Sequence, residues 1–334
     1  MRFGVRIPSF AWPELSFEDA TALLDYCRKV EDLPFSDIWT LDHVLAASAL
    51  YGVSWLDPLI VLSAVAPITS RVGLGTSALV LPLRHPVLLA KDIATLQLLS
   101  QGRFIFGIAA GWDEKEFEAF DLSLKDRGKR TDEALDLTLR LLTEEDVRFA
   151  GRFFSVNGVT IYPRLLEPPP LWVAGGSLSH APETPDKPYI APGVLRRIAR
   201  AQGWMSRSSG SDASMVAADW KVIREYVKEQ GRDPSSMVFA HTQFVHVAEG
   251  TSEERALEEQ LPHFVRVMGT HRTQDELAAS YLLGTVEQIQ QRVDELAQAG
   301  LQHMIITPVS SDPAQLDLLV KHVVQPFSDS KEAS

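Results

Sequence analysis

Residues 71–112 constrain the fold of this chain more than any other segment. An apolar run at 72–81 predicts a strand, the pattern at about 86–99 predicts a helix, and 103–109 predicts a second strand. Both predicted strands are almost continuously apolar, which is typical of a parallel sheet covered by helices on both faces. The second strand ends in small residues, and small residues at the carboxyl end of a parallel strand leave room for a ligand.

The same alternation of strand and helix continues along the whole chain. Strands are predicted at 2–7, 37–41, 72–81, 103–109, 171–174, 203–205, 237–247 and 303–307. Eight strands alternating with helices predict an α/β fold, a single (β/α)8 TIM barrel. An open doubly wound sheet is the alternative, but no Gly-x-Gly-x-x-Gly motif follows the first strand.

Two segments lie outside this repeating pattern. Residues 147–162 alternate around two glycine turns and predict a β-hairpin insertion. The second segment is the C-terminal stretch 328–334, which we predict to be a disordered tail. Residues 1–327 are predicted to form one barrel domain.

Composition and charge exclude several classes of function. The formal net charge of -12 disfavours binding to nucleic acid or to anionic membranes, because both need clustered Lys and Arg. No apolar run reaches the roughly 18 residues of a membrane-spanning helix. The single cysteine, Cys27, rules out a disulfide within the chain and fits a reducing compartment. We therefore expect a cytoplasmic protein.

In a barrel of this kind the active site forms at the carboxyl ends of the strands. That rule selects Pro8, Asp42, His43, Ser77, Ala78, Ala110, Gly111, Trp112, Gly175, Gly176, Ser177, Met205, Thr307 and Pro308. His43 is the main candidate for chemistry, because histidine side chains exchange protons near neutral pH. The Gly-Gly-Ser turn could bind an anion through its backbone N–H groups. Metal-binding motifs such as His-Glu-x-x-His are absent from the sequence, and we predict no metal site.

Several of these segments together resemble the bacterial-luciferase-like superfamily of flavin and deazaflavin enzymes. The matching pieces include DIWTLDH at 37–43, the run LGTSALVLPLRHPVLLAKDIATLQLLSQGRFIFGIAAGW at 74–112, PPPLWVAGGS at 168–177 and GTVEQIQQRVDELAQAGLQHMIITP at 284–308. They follow the family order over most of the chain.

The resemblance implies a barrel that holds an isoalloxazine-type ring at the carboxyl ends of its strands. It places His43 near the reactive face as a proton-transfer group, and it assigns Asp42 to the same cofactor site. Ser77 and Ala78 match the position where many relatives have a non-prolyl cis peptide behind the ring. Two further segments, Ala110-Gly111 and Gly175-Gly176-Ser177, match those that line the ring and its phosphate-bearing tail.

The sequence departs from the family pattern at two places. Trp112 stands where deazaflavin-dependent sugar dehydrogenases have a glutamate acid, which puts sugar-phosphate oxidation in doubt. The stretch 178–192 is longer than in relatives, is rich in proline, and carries His180 and Tyr189. A loop inserted over the mouth of a barrel is suited to act as a lid or a specificity element.

These observations predict an oxidoreductase that acts on a small or medium organic substrate by hydride transfer, with coenzyme F420 as the leading cofactor and FMN as the alternative. A two-component FMN monooxygenase, fed by a separate reductase, is the competing prediction. A non-catalytic flavin-binding protein is a third reading. The resemblance also implies a homodimer formed through the second and third helices.

Overall fold

The computed structural model describes residues 1–46, 50–177, 188–206, 212–250 and 252–328. Eight parallel strands form its centre: β1 (Arg2–Arg6), β2 (Asp37–Thr40), β3 (Gly73–Thr76), β4 (Phe104–Ala109), β5 (Leu171–Ala174), β6 (Gly203–Met205), β7 (Val238–Val245) and β8 (His303–Pro308). Each strand pairs with its neighbour, and β1 closes the ring by pairing with β8. The predicted (β/α)8 barrel is therefore confirmed.

Helices surround this barrel. The α-helices span Phe17–Asp32, Pro58–Val65, Pro86–Leu99, Glu114–Ala119, Arg127–Thr143, Pro192–Ile198, Ala213–Glu229, Glu253–Met268, Gln274–Ser280, Val286–Gln298, Ala314–Leu319 and Gln325–Phe327. Local signals set several of their ends. Ser16, for example, forms a capping box with Asp19 at the start of the first helix.

Side chains that alternate along each strand contribute to two of the hydrophobic clusters of the core. One cluster lies inside the barrel and contains Trp39, Ala78, Trp172, Met205, Ala240 and Ile305. The larger cluster fills the space between the strands and the helices, and includes Ile38, Leu62, Leu74 and Ile93. Burial on both faces explains why the strands read as continuous apolar runs.

The third strand is shorter than the sequence predicts. β3 ends at Thr76, the peptide bond between Ser77 and Ala78 is cis, and a short strand, Leu79–Val80, then pairs with β4. The apolar run at 72–81 is thus a strand, a turn and a second strand. The cis peptide occurs where the family resemblance implies it.

The hairpin insertion forms as predicted, with Val147–Ala150 pairing antiparallel to Ser155–Val159. An additional small pair, Phe10–Ala11 with Ser54–Trp55, was not predicted. Most of the predicted lid at 178–192, including His180, lies outside the described residues, and so does the predicted tail from residue 329 onward. No helix in the described part of the chain is both long enough and apolar enough to span a lipid bilayer.

Candidate active site at the open end of the barrel

His43 lies in the loop that follows β2 and is a buried residue, with a relative exposure of 6%. Its Nδ1 atom is 3.3 Å from Oε1 of Glu116, a residue of the short helix Glu114–Ala119 that follows β4. The loop after β2 and the helix after β4 are distant in sequence, and this polar contact brings them together. A carboxylate beside a histidine ring restricts its orientation and tautomer, as in other acid–base sites.

Glu116 accepts more than the contact with His43. Its Oε1 atom also accepts hydrogen bonds from the backbone N–H groups of Val44, at 2.7 Å, and Leu45, at 3.3 Å. Burial alone would raise the pKa of Glu116, but the hydrogen bonds from His43 and from these two N–H groups outweigh burial and leave the pKa below its ordinary value. The carboxylate therefore stays ionised beside His43 at neutral pH.

Two aromatic rings enclose His43. Tyr51 lies edge-on to the imidazole with 5.6 Å between ring centroids, and Trp112 lies edge-on at 5.7 Å. Trp112 is 46% exposed, so it extends the wall of the site toward solvent. Burial raises the pKa of Tyr51 to about 12, and its phenol is therefore neutral near pH 7.

Both carboxylate oxygens of Asp42 contact other groups of the chain. One carboxylate oxygen accepts the N–H of Val80 at 2.8 Å, and the other is 3.0 Å from Arg84, which also contacts Asp57. Burial raises the pKa of Asp42, and Arg84 and the Val80 N–H oppose that rise without cancelling it. The structure places Asp42 as the tether between the end of β2 and the segment after β3.

A buried arginine binds the Ser77–Ala78 turn from the opposite side. Nε of Arg6, the last residue of β1, donates to the Ser77 hydroxyl, and Nη2 donates to the Ser77 carbonyl, both at 2.9 Å. Burial lowers the pKa of Arg6 to about 10, so the guanidinium remains charged at neutral pH. Within the described residues its Nη1 atom has no hydrogen-bond partner.

We infer a recess beside this turn from small residues that remain partly exposed there. Ala109 and Ala174 belong to the cluster inside the barrel yet remain partly exposed, which means that they border open space. Ala110 and Gly111 continue the row beyond β4 and are also partly exposed. Gly111 has a φ of 76°, and a Cβ there would lie 2.7 Å from Val80. A larger residue at this position would displace the wall of the recess.

The Gly175-Gly176-Ser177 turn follows β5 as predicted, but it already contacts a carboxylate of the chain. The N–H of Ser177 donates to Oδ2 of Asp219 at 2.8 Å. A Cβ on Gly176 would lie 2.5 Å from the same oxygen, so only glycine leaves space for Asp219. Tyr189, on the described end of the inserted loop, is 51% exposed and is not brought into contact with His43 by any described interaction.

Small residues, a histidine and a buried cation make up a lining that a flat organic cofactor could occupy. The floor of the recess is made of alanine and glycine, one edge carries His43, and a buried cation lies behind the Ser77–Ala78 turn. Among the described residues, no group of three or more His, Cys, Asp or Glu side chains is arranged to bind a metal.

A sequence profile of luciferase-like monooxygenases matches residues 1–184 of the 334 in the chain. The chain belongs to the luciferase-like monooxygenase family. An F420-dependent glucose-6-phosphate dehydrogenase of Kineococcus radiotolerans is 30% identical over 222 residues, which cover 63% of this chain and 59% of that protein. A protein of the same name from Intrasporangium calvum is 26% identical over 313 residues, 88% of this chain and 90% of that one.

The alignment with the Kineococcus relative spans 59% of its length, and that with an Amycolatopsis mediterranei relative of the same name spans 47%. Among solved structures, the monooxygenase RslO1 from Streptomyces bottropensis superposes with a TM-score of 0.76 at 22% identity, covering 98% of this chain and 100% of that one. An F420-dependent secondary alcohol dehydrogenase in complex with an F420–acetone adduct gives a TM-score of 0.75 at 17% identity, over 97% of this chain and 98% of that one. These structural matches agree with the barrel fold.

Sequence reasoning did not assign roles to Arg6, Glu116 and Asp219. Each lies on a different element from the residue it contacts, and the sequence separations are 71, 73 and 42 positions. The sequence alone does not tell which of Glu114 and Glu116 faces inward.

We predict that Glu116→Ala lowers the free energy of unfolding by about 2 kcal/mol, because it leaves the N–H groups of Val44 and Leu45 without an acceptor. The pH dependence should change as well. Because the pKa of Glu116 is lowered on folding, its carboxylate contributes stability above the ordinary value of 4.5 and loses it as the pH falls. Urea unfolding of the wild type, Glu116→Ala and Glu116→Gln at pH 7 and pH 4 measures both effects.

The matched control is Glu114→Gln, which changes the same charge at an exposed position on the same helix. It should unfold like the wild type at both pH values. An equal stability of Glu116→Ala and wild type at pH 7 would contradict the assigned contacts.

Proposed function

We propose that this protein is an oxidoreductase that binds coenzyme F420 at the open end of the barrel and transfers hydride between the coenzyme and a small or medium organic molecule. The observation that carries the proposal is the His43–Glu116 pair, buried beside a recess with a floor of alanine and glycine. Family membership supports the same reading, because the relatives named above are dehydrogenases and monooxygenases.

The residues at this end of the barrel would have separate parts in this function. Ala109, Ala110, Gly111 and Ala174 would lie against the ring, with the Ser77–Ala78 turn behind it. When bound, the coenzyme supplies or accepts the hydride. His43 would exchange a proton with the substrate through Nε2, since Nδ1 faces Glu116. Glu116 would stabilise the charged imidazole and keep its orientation. Tyr51 and Trp112 would exclude water from this edge.

The walls of the site favour an apolar substrate over a sugar phosphate. Phe10, Tyr51, Trp55 and Phe244 pack in one cluster at this end of the barrel. Two cations on this side of the barrel pair with carboxylates of the chain: Arg84 contacts Asp42 and Asp57, and Arg197 contacts Asp132. We therefore propose a neutral organic alcohol, ketone or related molecule, although glucose-6-phosphate appears in the names of several relatives.

A two-component FMN monooxygenase is the second candidate. It is supported by the description of the matched family and by the likeness to RslO1. In that case reduced FMN would come from a separate reductase, and His43 and Glu116 would occupy the same positions.

Cofactor binding and oxygen uptake separate the two candidates. We expect the purified protein to bind F420 tightly and to change its visible spectrum, with no oxygen uptake when F420 is reduced. Tight binding of reduced FMN, with oxygen uptake that depends on an organic substrate, would replace the leading proposal by the monooxygenase. If neither cofactor binds, both proposals are wrong. If a cofactor binds but none of a panel of alcohols, ketones and aldehydes is turned over, the non-catalytic binding protein is favoured.

For His43→Ala we predict a decrease in turnover of about 10²-fold or more with little change in cofactor affinity, because a positioned acid–base group contributes at least that factor. His85→Ala is the control. His85 caps the helix Pro86–Leu99 through Val87 and contacts Phe154, outside the barrel interior. Steady-state kinetics and cofactor titration of both variants provide the test, and unchanged turnover in His43→Ala would remove His43 from the mechanism.

We also propose that two copies of the chain associate through the helices Pro58–Val65 and Pro86–Leu99. None of the eight residues of the helix Pro58–Val65 is charged, and Ile60 on its outer face is 71% exposed. Leu88 and Leu98 are exposed on the helix Pro86–Leu99. An outer helix without charges is typical of a surface that another protein covers.

Light scattering should give the mass of two chains for the wild type, and a lower mass for the double variant Ile60→Glu, Leu88→Glu, because the charges would be buried at the interface. Phe17→Glu changes an exposed apolar residue on a different helix and should leave the mass unchanged. A wild type that scatters as a single chain at micromolar concentration would contradict the dimer.

A further inference from the structure

A buried arginine inside the barrel has no part in the function proposed above. Side chains alternate along β1, and Val5 and Ile7 belong to the cluster between the strands and the helices. The intervening positions face the barrel interior: a Cβ on Gly4 would lie 2.6 Å from Trp39, a residue of the interior cluster. Arg6 ends β1 and is 1% exposed, so it places a guanidinium inside the barrel at the carboxyl end of the strand.

Arg6 lacks a counter-charge among the described residues. Its Nε and Nη2 atoms donate to the hydroxyl and the carbonyl of Ser77, which are both neutral acceptors. Its Nη1 atom has no hydrogen-bond partner, and no carboxylate in the described ranges pairs with it. Arg84 and Arg197 differ, because each pairs with an aspartate. A buried cation without an anion is costly in a folded protein, so a compensating interaction is expected.

The groups that face the guanidinium from neighbouring elements are neutral as well. The guanidinium lies over the ring of Phe244 on β7, 5.8 Å from its centroid. Tyr51 interacts electrostatically with Arg6, but burial raises the pKa of the Tyr51 phenol to about 12, and the phenol is neutral near pH 7. Tyr51 also lies edge-on to His43, with 5.6 Å between ring centroids. The unpaired charge is therefore one residue away from the candidate proton-transfer group.

The guanidinium also lies next to the inferred recess. Ser77, to which it donates, precedes Ala78, and Ala78 belongs to the interior cluster together with Ala109 and Ala174. Ala109 and Ala174 are among the partly exposed residues from which the recess is inferred. In a poorly solvated site a cation attracts a negative charge across several ångströms without direct contact. Arg6 therefore favours a negative charge in the recess.

We propose that Arg6 is the counter-charge for a negatively charged coenzyme ring, so that the protein binds the reduced coenzyme more tightly than the oxidised coenzyme. This inference rests on the proposed function, since it assumes that a flavin or deazaflavin ring binds in the recess. The oxidised ring is neutral, whereas the reduced ring is an anion once its N1 proton has passed to solvent, and protein charges tune such rings. The tail of the coenzyme is the same in both oxidation states, so a comparison of the two states isolates the ring. Arg6 is then a specificity residue for the oxidation state of the coenzyme.

The two oxidation states of one coenzyme provide the test. Dissociation constants are measured for F420 and for FMN, each oxidised and reduced, by absorbance and fluorescence titration without oxygen at pH 8. The wild type should bind the reduced form at least about tenfold more tightly, the factor expected for opposite charges several ångströms apart in a poorly solvated site. Arg6→Gln is neutral and keeps a donor for Ser77, and it should bring the two dissociation constants within about threefold of each other. Arg6→Lys keeps the charge and should retain most of the preference.

Arg2→Gln is the matched control for the loss of one positive charge. Arg2 is the exposed first residue of the same strand, at the opposite end of β1, and its variant should keep the wild-type preference. Equal binding of both oxidation states by the wild type would overturn the inference, whether or not Arg6→Gln folds. A preference that Arg6→Gln keeps would also overturn it, and so would one that Arg6→Lys loses completely, since the Ser77 contacts would then be responsible. Binding of neither coenzyme in either state would instead contradict the proposed function.

Discussion

The contact of Glu116 with the loop after β2 is the interaction on which the site depends. One carboxylate oxygen accepts from His43 and from two successive backbone N–H groups. Those N–H groups belong to residues 41–46, the described start of the loop, which form neither strand nor helix. The carboxylate therefore replaces the partners that a strand or helix would supply. The position of His43 is therefore set by a residue that enters the barrel mouth from the end of β4.

Hydrogen bonds from other strand ends also position the neighbouring segment after β3. Arg6 from β1 binds Ser77, and Asp42 from the end of β2 binds Val80. Because the barrel is closed, β1, β2, β3 and β4 bring these residues to one edge although they are spread over the first third of the chain. Closure thus determines the geometry of the recess, and polar contacts between loops determine its details.

The sequence predicted the barrel because each strand carries its own signal, an apolar run between helices of ordinary length. It predicted the position of His43 because a strand end can be recognised locally. It failed within 72–81, where the apolar pattern is uninterrupted while the chain turns at Ser77–Ala78. The contacts of Arg6, Glu116 and Asp219 could not be read from the sequence, since each depends on a side chain from a distant element. Ser177 illustrates the consequence: a turn that reads as an open anion site has its N–H bonded to Asp219.

The central claim is that a flavin-type ring binds against the recess with the His43 imidazole at its edge. Nitrogen NMR of the protein, with histidine labelled at its ring nitrogens, tests this claim most directly. Addition of one equivalent of F420 or FMN should shift the His43 resonances, which are assigned by their loss in His43→Ala. The resonances of His322, which contacts Glu249, should remain unchanged. Binding of the cofactor with unchanged His43 resonances would contradict the account.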